Sequence, residues 1–329
     1  MNLTRRYLIQ STGAAALLAA GLGRSALAQA LETARVIVGF PAGSTPDVVA
    51  RRIAEKLNQG YARAALVDNR TGAGGQIAVS AVKALAPDGS NILISPMSIL
   101  GVYPHTYKKL PYDPVADLTP VSMGVTFDYG FAVGPAVPES VKTIPDFMAW
   151  CKANPAKASF GSPAPGSTLH FSGIMLGRAA GVELTHIGFR GSQAAIQDLL
   201  GGQLPALCSP LGEFLRHLPG GKLRVLGTSG AKRSRFTPNI ATFAEQGYKD
   251  MVFSEWYGFF LPAKATPETV QKLNAAVRQA LAAPDVIEGL AGFGLEPAPS
   301  TPAQLAATLK ADTERWGPVV KSIGFTAEN

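Results

Sequence analysis

Short apolar runs rich in β-branched residues alternate along this chain with segments of helical periodicity, and this alternation constrains the fold more than any other feature. Val36–Phe40 predicts a buried strand, and a helix is predicted to begin at Thr45, its N-cap, with proline in its first turn. Ala65–Val67 and Ile92–Ser95 predict further strands, separated by a helix over Gly74–Leu85. Such alternation is typical of parallel sheets covered by helices.

The same pattern resumes after residue 130, and a chain of 329 residues is long enough for two domains. No Ser/Gly-rich linker separates the two α/β units, so we expect them to be joined by strands that act as hinges, with crossings near residues 126–131 and 252–257. One domain is expected to comprise residues 31–128 plus 254–329, and the other residues 129–253. Two long C-terminal helical stretches, the first interrupted by Pro284 and the second opening with a capping box at Thr301, return to the first domain.

Residues 1–28 predict an export signal. Arg5 and Arg6 precede an apolar run that is too short to span a bilayer, and Ala26-Leu27-Ala28 fits a signal-peptidase site. The paired arginines are typical of a twin-arginine signal, but Gln10 replaces the usual lysine, which leaves the general secretory route open. A membrane-anchoring first helix is the other alternative. We expect the mature protein to be soluble and periplasmic.

The motifs of several common enzyme classes are incomplete. Ile77 stands where a dinucleotide fingerprint needs glycine or alanine, and the sequence contains neither a Walker lysine nor a G-x-S-x-G elbow. Ser229 and Lys232 match S-x-x-K, a short pattern that recurs by chance, without its companion motifs. An exported serine hydrolase that uses this pair is the alternative function.

The sequence gives little support for a metal-binding or a nucleic-acid-binding protein. No metal site is predicted, because the spacing of the four histidines gives neither H-x-H nor H-x-x-x-H. Cys151 and Cys208 are expected to be buried free thiols, with a disulfide between them as the alternative in an oxidising compartment. The formal net charge of +7 includes three arginines of the export signal, and the remaining basic residues are scattered, so no nucleic-acid partner is predicted.

Two loops rich in small residues stand between a predicted strand and a predicted helix. They are Phe40–Asp47 and Phe160–Thr168, one in each α/β unit. Helix N-termini offer free backbone N–H groups and a positive dipole end, and small residues let a ligand approach the backbone. A single loop of this kind is usually ordinary turn chemistry. Two of them in an exported protein predict a cleft that holds an anion from both sides.

Longer motifs, in a fixed order, identify a family. The first loop is followed by an acid-Asn-Arg-x-Gly-Ala-Gly-Gly signature at Asp68–Gly75, by Tyr107–Pro114, by Asp198–Gln203 and by Gly221–Arg224. In these segments the chain resembles the Bug-type periplasmic receptors of tripartite tricarboxylate transporters, from about residue 34 to the C-terminus.

The resemblance implies an α/β, type II periplasmic-binding-protein fold with two domains, two hinge crossings and a ligand cleft. It implies no catalysis, no cofactor and no metal; the partners are a small organic carboxylate and the membrane components of the transporter, and the protein is expected to be a monomer. The ligand-binding residues implied by the resemblance are Phe40, Pro41, Ala42, Gly43, Ser44, Thr45, Ser162, Ala164, Pro165, Gly166, Ser167, Thr168 and His170. Arg190 and Ser209 are further candidates, at positions where the family often has lysine and an acid.

Several of these positions carry alternatives or depart from the family pattern. The strand ending at Cys208 is often followed by an acid in the family, but here by Ser209, which argues against an amino-acid ligand. His170 either donates to a carboxylate or caps its own helix. Arg190 either clamps a distal carboxylate or faces solvent. Asp68–Arg70 is expected to lock a turn and the geometry between the domains rather than to touch ligand.

The sequence therefore favours a soluble receptor that captures a small carboxylate by hinge closure and delivers it to a membrane transporter. The alternatives are the serine hydrolase and a receptor that presents its closed form to a sensor protein.

Overall fold

The structure, a computed structural model, describes residues 30–327 and contains two β-sheets flanked by helices. The export signal predicted over residues 1–28 lies outside the described residues. Within residues 30–327, no helix combines the length and the apolar character needed to cross a bilayer.

The first sheet has six strands, in the order β2 (Ala62–Asn69), β1 (Leu31–Val38), β3 (Asn91–Pro96), β10 (Glu255–Pro262), β4 (Leu118–Phe127) and β11 (Glu296–Pro297). Strands β1, β2 and β3 run parallel, whereas β10 is antiparallel to both of its neighbours. The elements of this part of the fold are β1 Leu31–Val38, α1 Thr45–Leu57, β2 Ala62–Asn69, α2 Gln76–Lys83, β3 Asn91–Pro96, a π-helical turn Ser98–Val102, α3 Tyr103–Thr106, β4 Leu118–Phe127, β10 Glu255–Pro262, α8 Pro267–Leu281, α9 Pro284–Ala291, β11 Glu296–Pro297 and α10 Pro302–Ile323.

The second sheet has five strands, in the order β7 (Thr185–Gly188), β6 (Ser159–Ser162), β8 (Ala206–Pro210), β5 (Tyr129–Val133) and β9 (Arg224–Thr228). Strand β6 is parallel to β7 and β8, and β5 is antiparallel to β8 and β9. Its elements are β5 Tyr129–Val133, α4 Ile144–Ala153, β6 Ser159–Ser162, α5 Thr168–Ala179, β7 Thr185–Gly188, α6 Ser192–Leu200, β8 Ala206–Pro210, α7 Gly212–Leu215 and β9 Arg224–Thr228.

The chain passes between the two sheets twice. It leaves the first sheet at Phe127 and enters the second at Tyr129, so that β4 and β5 are nearly continuous. It leaves the second sheet at Thr228 and re-enters the first at Glu255. A third connection comes from the C-terminus, where Arg178 of α5 donates to the carbonyls of Ser322 and Ile323 at the end of α10.

The two-domain α/β fold is confirmed, but the sheets are mixed rather than parallel. The difference arises from the connecting strands: β4, β5 and β10 run between the sheets and pair antiparallel with their neighbours. Strand β4 was not predicted from the sequence. Its buried positions follow no strict alternation, and Pro120 and Gly124 interrupt its apolar pattern.

The sequence signals at helix ends predict some helix boundaries correctly and others wrongly. The break at Pro284 and the capping box at Thr301 are both present. The N-cap of α1 is Ser44 rather than Thr45, which is the first helical residue. Helix α2 begins at Gln76, after a 3₁₀ turn in which Gly74 and Gly75 have positive φ.

Both cysteines are free and buried in the structure, so the disulfide alternative is not realised. Burial raises the pKa of the Cys151 thiol to about 12 and that of the Cys208 thiol further still.

Candidate functional site

A cavity lies between the two sheets, where loops that follow parallel strands of each sheet converge. It is called the inner cavity below; the space among its lining residues, counted together with the part open to solvent, is about 510 Å³. Phe40 and Ser44 come from the loop after β1, Ala164 and Ser167 from the loop after β6, and Gly191 from the loop after β7. In α/β proteins, ligands bind in crevices at the carboxyl ends of strands, which is where this cavity lies.

Three helices begin at the wall of the inner cavity. Their N-caps are Ser44 for α1, Ser167 for α5 and Gly191 for α6, and all three line the cavity. The first amides of a helix have no partner inside the helix, and the helix dipole places partial positive charge at this end. The cavity wall can therefore stabilise anionic groups.

The Ser167 side chain in this wall lacks a hydrogen-bond partner. The residue is only 2% exposed, and its hydroxyl has no hydrogen-bond partner. It also forms no capping bond to its own helix. Since a buried hydroxyl without a partner costs free energy, a ligand group that bonds to it would gain affinity.

At the N-terminus of α1, an acid of the protein itself occupies the anion position. Glu213 on α7 is 4% exposed. Its Oε1 accepts the backbone N–H of Thr45 at 2.9 Å and also the Thr45 hydroxyl. Its Oε2 accepts from the side-chain amide of Gln193 at 2.7 Å. The contact between Thr45 and Glu213 joins α1, which packs on the first sheet, to α7, which follows a strand of the second sheet.

A second buried acid, Glu255, lies at the start of β10. Its Oε1 accepts the backbone N–H of Ser98 at 3.0 Å, and its Oε2 accepts hydroxyls from Ser98 and Thr168, both at 2.7 Å, and from Tyr129. Burial raises the pKa of Glu213 and Glu255, and the hydroxyl and amide donors oppose that effect. Burial is the main cause that raises the pKa of Tyr257, and the charges of Glu213 and Glu255 raise it further. Both acids therefore lie near this phenol.

A wider groove adjoins the inner cavity. The two share Phe40, Pro163 and Gly191 in their linings, and the groove is open to solvent, with a space of about 2080 Å³ that includes this open part. Lys109 and Arg190 line it, and both are exposed. This outer groove is therefore the basic part of the cleft.

The structure brings the two predicted loops together, but it divides the predicted residues into groups. Phe40, Ser44, Ala164 and Ser167 line the inner cavity, and Phe40, Pro41, Pro165 and Arg190 line the outer groove. The remaining predicted residues line neither: Ala42, Gly43, Thr45, Ser162, Gly166, Thr168, His170 and Ser209.

Most of that last group have protein partners. Thr45 and Thr168 donate to the buried glutamates described above. The Ser162 hydroxyl bonds to the His186 ring at 2.8 Å, and the Ser209 hydroxyl donates to Ser192 at 2.9 Å. The backbone N–H of Gly43 donates to Asp47 at 2.8 Å.

His170 adopts the capping alternative. Its Nδ1 accepts the backbone N–H of Gly166 at 3.1 Å, and its ring stacks on His186 with centroids 3.7 Å apart. Burial and the neighbouring His186 lower the pKa of His170 to about 3, and burial lowers that of His186 to about 4. Both rings are therefore neutral at physiological pH.

The hydrogen bonds and the ion pair found for the Asp68–Arg70 segment fix a turn, and their partners all belong to residues 31–128, so they do not support the expected role between the domains. The Asn69 amide donates to the Phe40 carbonyl at 3.0 Å and to Asp47 at 2.8 Å, which fixes the first loop against α1. Arg70 pairs with Asp68 at 2.9 Å.

The residues that sequence reasoning missed are the acidic and aromatic ones. Glu213 and Glu255 each stand in an otherwise apolar run, Leu211–Leu215 and Glu255–Pro262, and an isolated acid in such a run is the signal that points to them. Phe127, Tyr129 and Tyr257 complete the cavity wall.

Ser229 and Lys232 do not form a nucleophile and base. Ser229 is fully buried, and its hydroxyl accepts the backbone N–H of Tyr129 at 2.9 Å. Lys232 is exposed, and within residues 30–327 it forms no hydrogen bond to the Ser229 hydroxyl.

Comparison with known proteins agrees with this architecture. Residues 49–325 match the model of the tripartite tricarboxylate transporter family receptor. The protein BugT of Bordetella pertussis is 32% identical over 291 residues, which cover 88% of this chain and 89% of BugT.

Two solved structures with bound ligands are also similar. R. palustris Rpa4515 with adipate has a TM-score of 0.85 at 28% identity, covering 89% of this chain and 98% of that one. MatC from Rhodopseudomonas palustris with bound malate has a TM-score of 0.80 at 27% identity, covering 88% and 98%. The chain therefore belongs to the Bug-type receptor family of tripartite tricarboxylate transporters.

Proposed function

We propose that this protein is a periplasmic solute receptor that captures a small organic carboxylate in the inner cavity and delivers it to the membrane components of a tripartite tricarboxylate transporter. The family supports the receptor role, and the ligands of two similar structures, adipate and malate, support a carboxylate. The export signal predicted over residues 1–28, twin-arginine-like with the general secretory route as the alternative, supports a periplasmic location.

The unpartnered hydroxyl of Ser167 is the observation that carries the proposal. It combines burial, a position at the N-terminus of a twelve-residue helix and a place in the cavity wall. A carboxylate oxygen placed there accepts from the hydroxyl and from first-turn amides of α5. The N-terminus of α6 at Gly191 lies in the same wall and adds further amides.

Ligand capture proceeds by hinge closure. One domain comprises residues 31–128 plus 254–329 and the other residues 129–253, with hinges near 126–131 and 252–257. Cavity-lining residues come from both domains, so a ligand bonded to both favours the closed state and shifts the population toward it. The protein acts as a monomer without a cofactor or metal, and it performs no catalysis.

Isothermal titration calorimetry with mono-, di- and tricarboxylates tests the proposal on the mature protein. Ser167→Ala should weaken binding about tenfold, because a hydrogen bond to a charged group contributes about 1.5–3 kcal/mol. Thr237→Val is the matched control: Thr237 carries another buried hydroxyl without a partner, and it does not line the cavity. If no carboxylate binds the wild type, the proposed function is wrong; if Ser167→Ala binds normally, the anion is held elsewhere.

A further inference from the structure

The inner cavity offers one place for a carboxylate, and the rest of its wall is apolar. We propose that the ligand carries a single carboxylate, which binds at Ser167, and that the remainder of the ligand is an apolar body, an alkyl chain or an aromatic ring, that packs against the other lining residues. The substrate class is then apolar monocarboxylates. This inference rests on the proposed function and narrows its substrate class.

The polar side chains of the cavity wall are almost all bonded within the protein. The Ser44 hydroxyl donates to the Pro41 carbonyl at 2.6 Å, and the Tyr103 hydroxyl donates to the Gly74 carbonyl at 3.2 Å. The other polar side chains of the lining that have a protein partner are Ser98, Tyr129, Ser192, Glu213, Glu255 and Tyr257. Among the described residues that line the cavity, Ser167 alone has a polar side chain without a partner. The unmet hydrogen-bonding capacity of these side chains is therefore concentrated at Ser167.

The helix N-termini in the wall provide one seat for an anion. The N-terminus of α1 already holds the carboxylate of Glu213, which accepts the Thr45 N–H at 2.9 Å. The other two N-termini are neighbours, because Gly191, the N-cap of α6, donates its N–H at 3.3 Å to the carbonyl of Pro163, in the loop that leads to Ser167 and α5. We therefore expect the first-turn amides of α5 and α6 to bind the same carboxylate.

A second carboxylate finds no partner in the rest of the lining. No lysine or arginine lines the inner cavity among residues 30–327. Glu213 and Glu255 already accept three and four donors from the protein, respectively. A second carboxylate in this cavity would lose its hydration water without gaining a donor, which costs free energy.

The carbon atoms of the lining suit an apolar body. Ile99, Phe127 and Leu169 line the cavity and are buried. The ring of Phe127 lies beside those of Tyr129 and Tyr257, with centroids 6.2 and 4.6 Å apart. Such rings stabilise a further aromatic ring by offset or edge-to-face packing, and alkyl carbons gain free energy when they leave water. The lining therefore favours carbon over a second charged group.

Matched ligand pairs test this inference separately from the general carboxylate function. Valerate and glutarate, hexanoate and adipate, and p-toluate and terephthalate each differ only in the exchange of one methyl group for a carboxylate. Calorimetry measures all of them on the mature wild type and on Ile99→Ala, Leu169→Ala and Leu309→Ala. Leu309→Ala is the matched control, because Leu309 is buried like Leu169 but lies on α10 and does not line the cavity. Melting temperatures report whether each variant is folded.

We expect the monocarboxylate of at least one pair to bind the wild type at least about tenfold more tightly than its dicarboxylate partner. Ile99→Ala and Leu169→Ala should lower this ratio severalfold, because they remove apolar contacts that only the methyl end of the ligand uses. Leu309→Ala should leave the ratio unchanged. A variant that merely loosened the carboxylate seat would weaken both members of a pair equally and would not change the ratio.

The inference is overturned if every dicarboxylate binds at least as tightly as its monocarboxylate partner, or if neither cavity variant lowers the ratio. In the first case, loss of dicarboxylate affinity in Arg190→Gln would place the second carboxylate in the outer groove, which Arg190 lines. Both results leave the carboxylate function intact. Absence of binding by all of these ligands, together with the other carboxylates tested above, would contradict the proposed function as well.

Discussion

Thr45 and Glu213 are separated by 168 positions in the sequence, yet the Glu213 carboxylate accepts both the backbone N–H and the hydroxyl of Thr45. Thr45 is the first residue of α1, and Glu213 lies on α7 beyond the first crossing between the sheets. The protein thus places one of its own carboxylates at a helix N-terminus that would otherwise be available to a ligand anion. The same bonds hold the two walls of the cleft together.

Removal of the Thr45 hydroxyl should therefore weaken the contact between the walls. Thr45→Ala deprives a buried carboxylate of one donor and should lower the free energy of unfolding by about 1–3 kcal/mol, whereas Thr45→Ser keeps the hydroxyl and should lose less. Urea denaturation checks the stability, and small-angle scattering should show a larger radius of gyration for Thr45→Ala without ligand. Equal stability of the two variants would show that the hydroxyl bond contributes nothing.

The stacked pair of His170 and His186 should make stability depend on pH. Their pKa values, about 3 and about 4 in the folded protein, lie below the ordinary value of 6.5. Below pH 6.5 the unfolded chain binds protons that the folded protein does not, so stability is present at pH 7 and is lost as the pH falls toward 4, by up to about 1.4 kcal/mol per histidine for each pH unit.

Urea denaturation at pH 7 and pH 5 measures this loss. His186→Gln should reduce the difference between the two pH values, because one of the two sites can no longer titrate. His105→Gln is the control, since His105 lies at the surface and bonds to the carbonyl of Thr313. An equal loss in all three proteins would assign the pH dependence to other groups.

Local chemistry predicts some elements well and fails where distant segments meet. Pro284 breaks a helix and Thr301 starts one because both effects act within a turn of chain. Strand β4 depends instead on pairing with β10, more than a hundred positions away, so its own pattern is weak.

The candidate site shows the same limit. The two loops could be found from strand–loop–helix patterns, because small residues and hydroxyls lie next to each other in the sequence. The buried acids could not, since the donors that make their burial tolerable are distant: Ser98 is 157 positions from Glu255. Burial of a charged group is decided by tertiary contacts, and one sequence does not reveal them.

The two thiols should be unreactive in the folded protein. Cys151 and Cys208 are 1% and 0% exposed, and burial raises the pKa of both, so neither forms the reactive thiolate at neutral pH. A colourimetric thiol reagent should detect no thiol under native conditions and both of them in denaturant. Fast reaction of the native protein would show that these sites open readily.

A tight backbone contact beside the first crossing between the sheets predicts a variant that changes how the two units meet. Gly212, the first residue of α7, has no side chain, and a Cβ there would lie 1.6 Å from the backbone carbonyl oxygen of Phe293, in the turn after α9. Backbone atoms on both sides cannot rotate away, so Gly212→Ala has to separate α7 from that turn. The variant should still fold, because the clash lies between elements of the two sheets and not within either one.

We expect its radius of gyration to stay larger than that of the wild type even with saturating carboxylate, and its affinity to fall by about tenfold or more. Gly220→Ala is the matched control, since a Cβ at Gly220 meets nothing within 4 Å. Wild-type affinity and an unchanged radius of gyration in Gly212→Ala would show that this contact plays no part in closure.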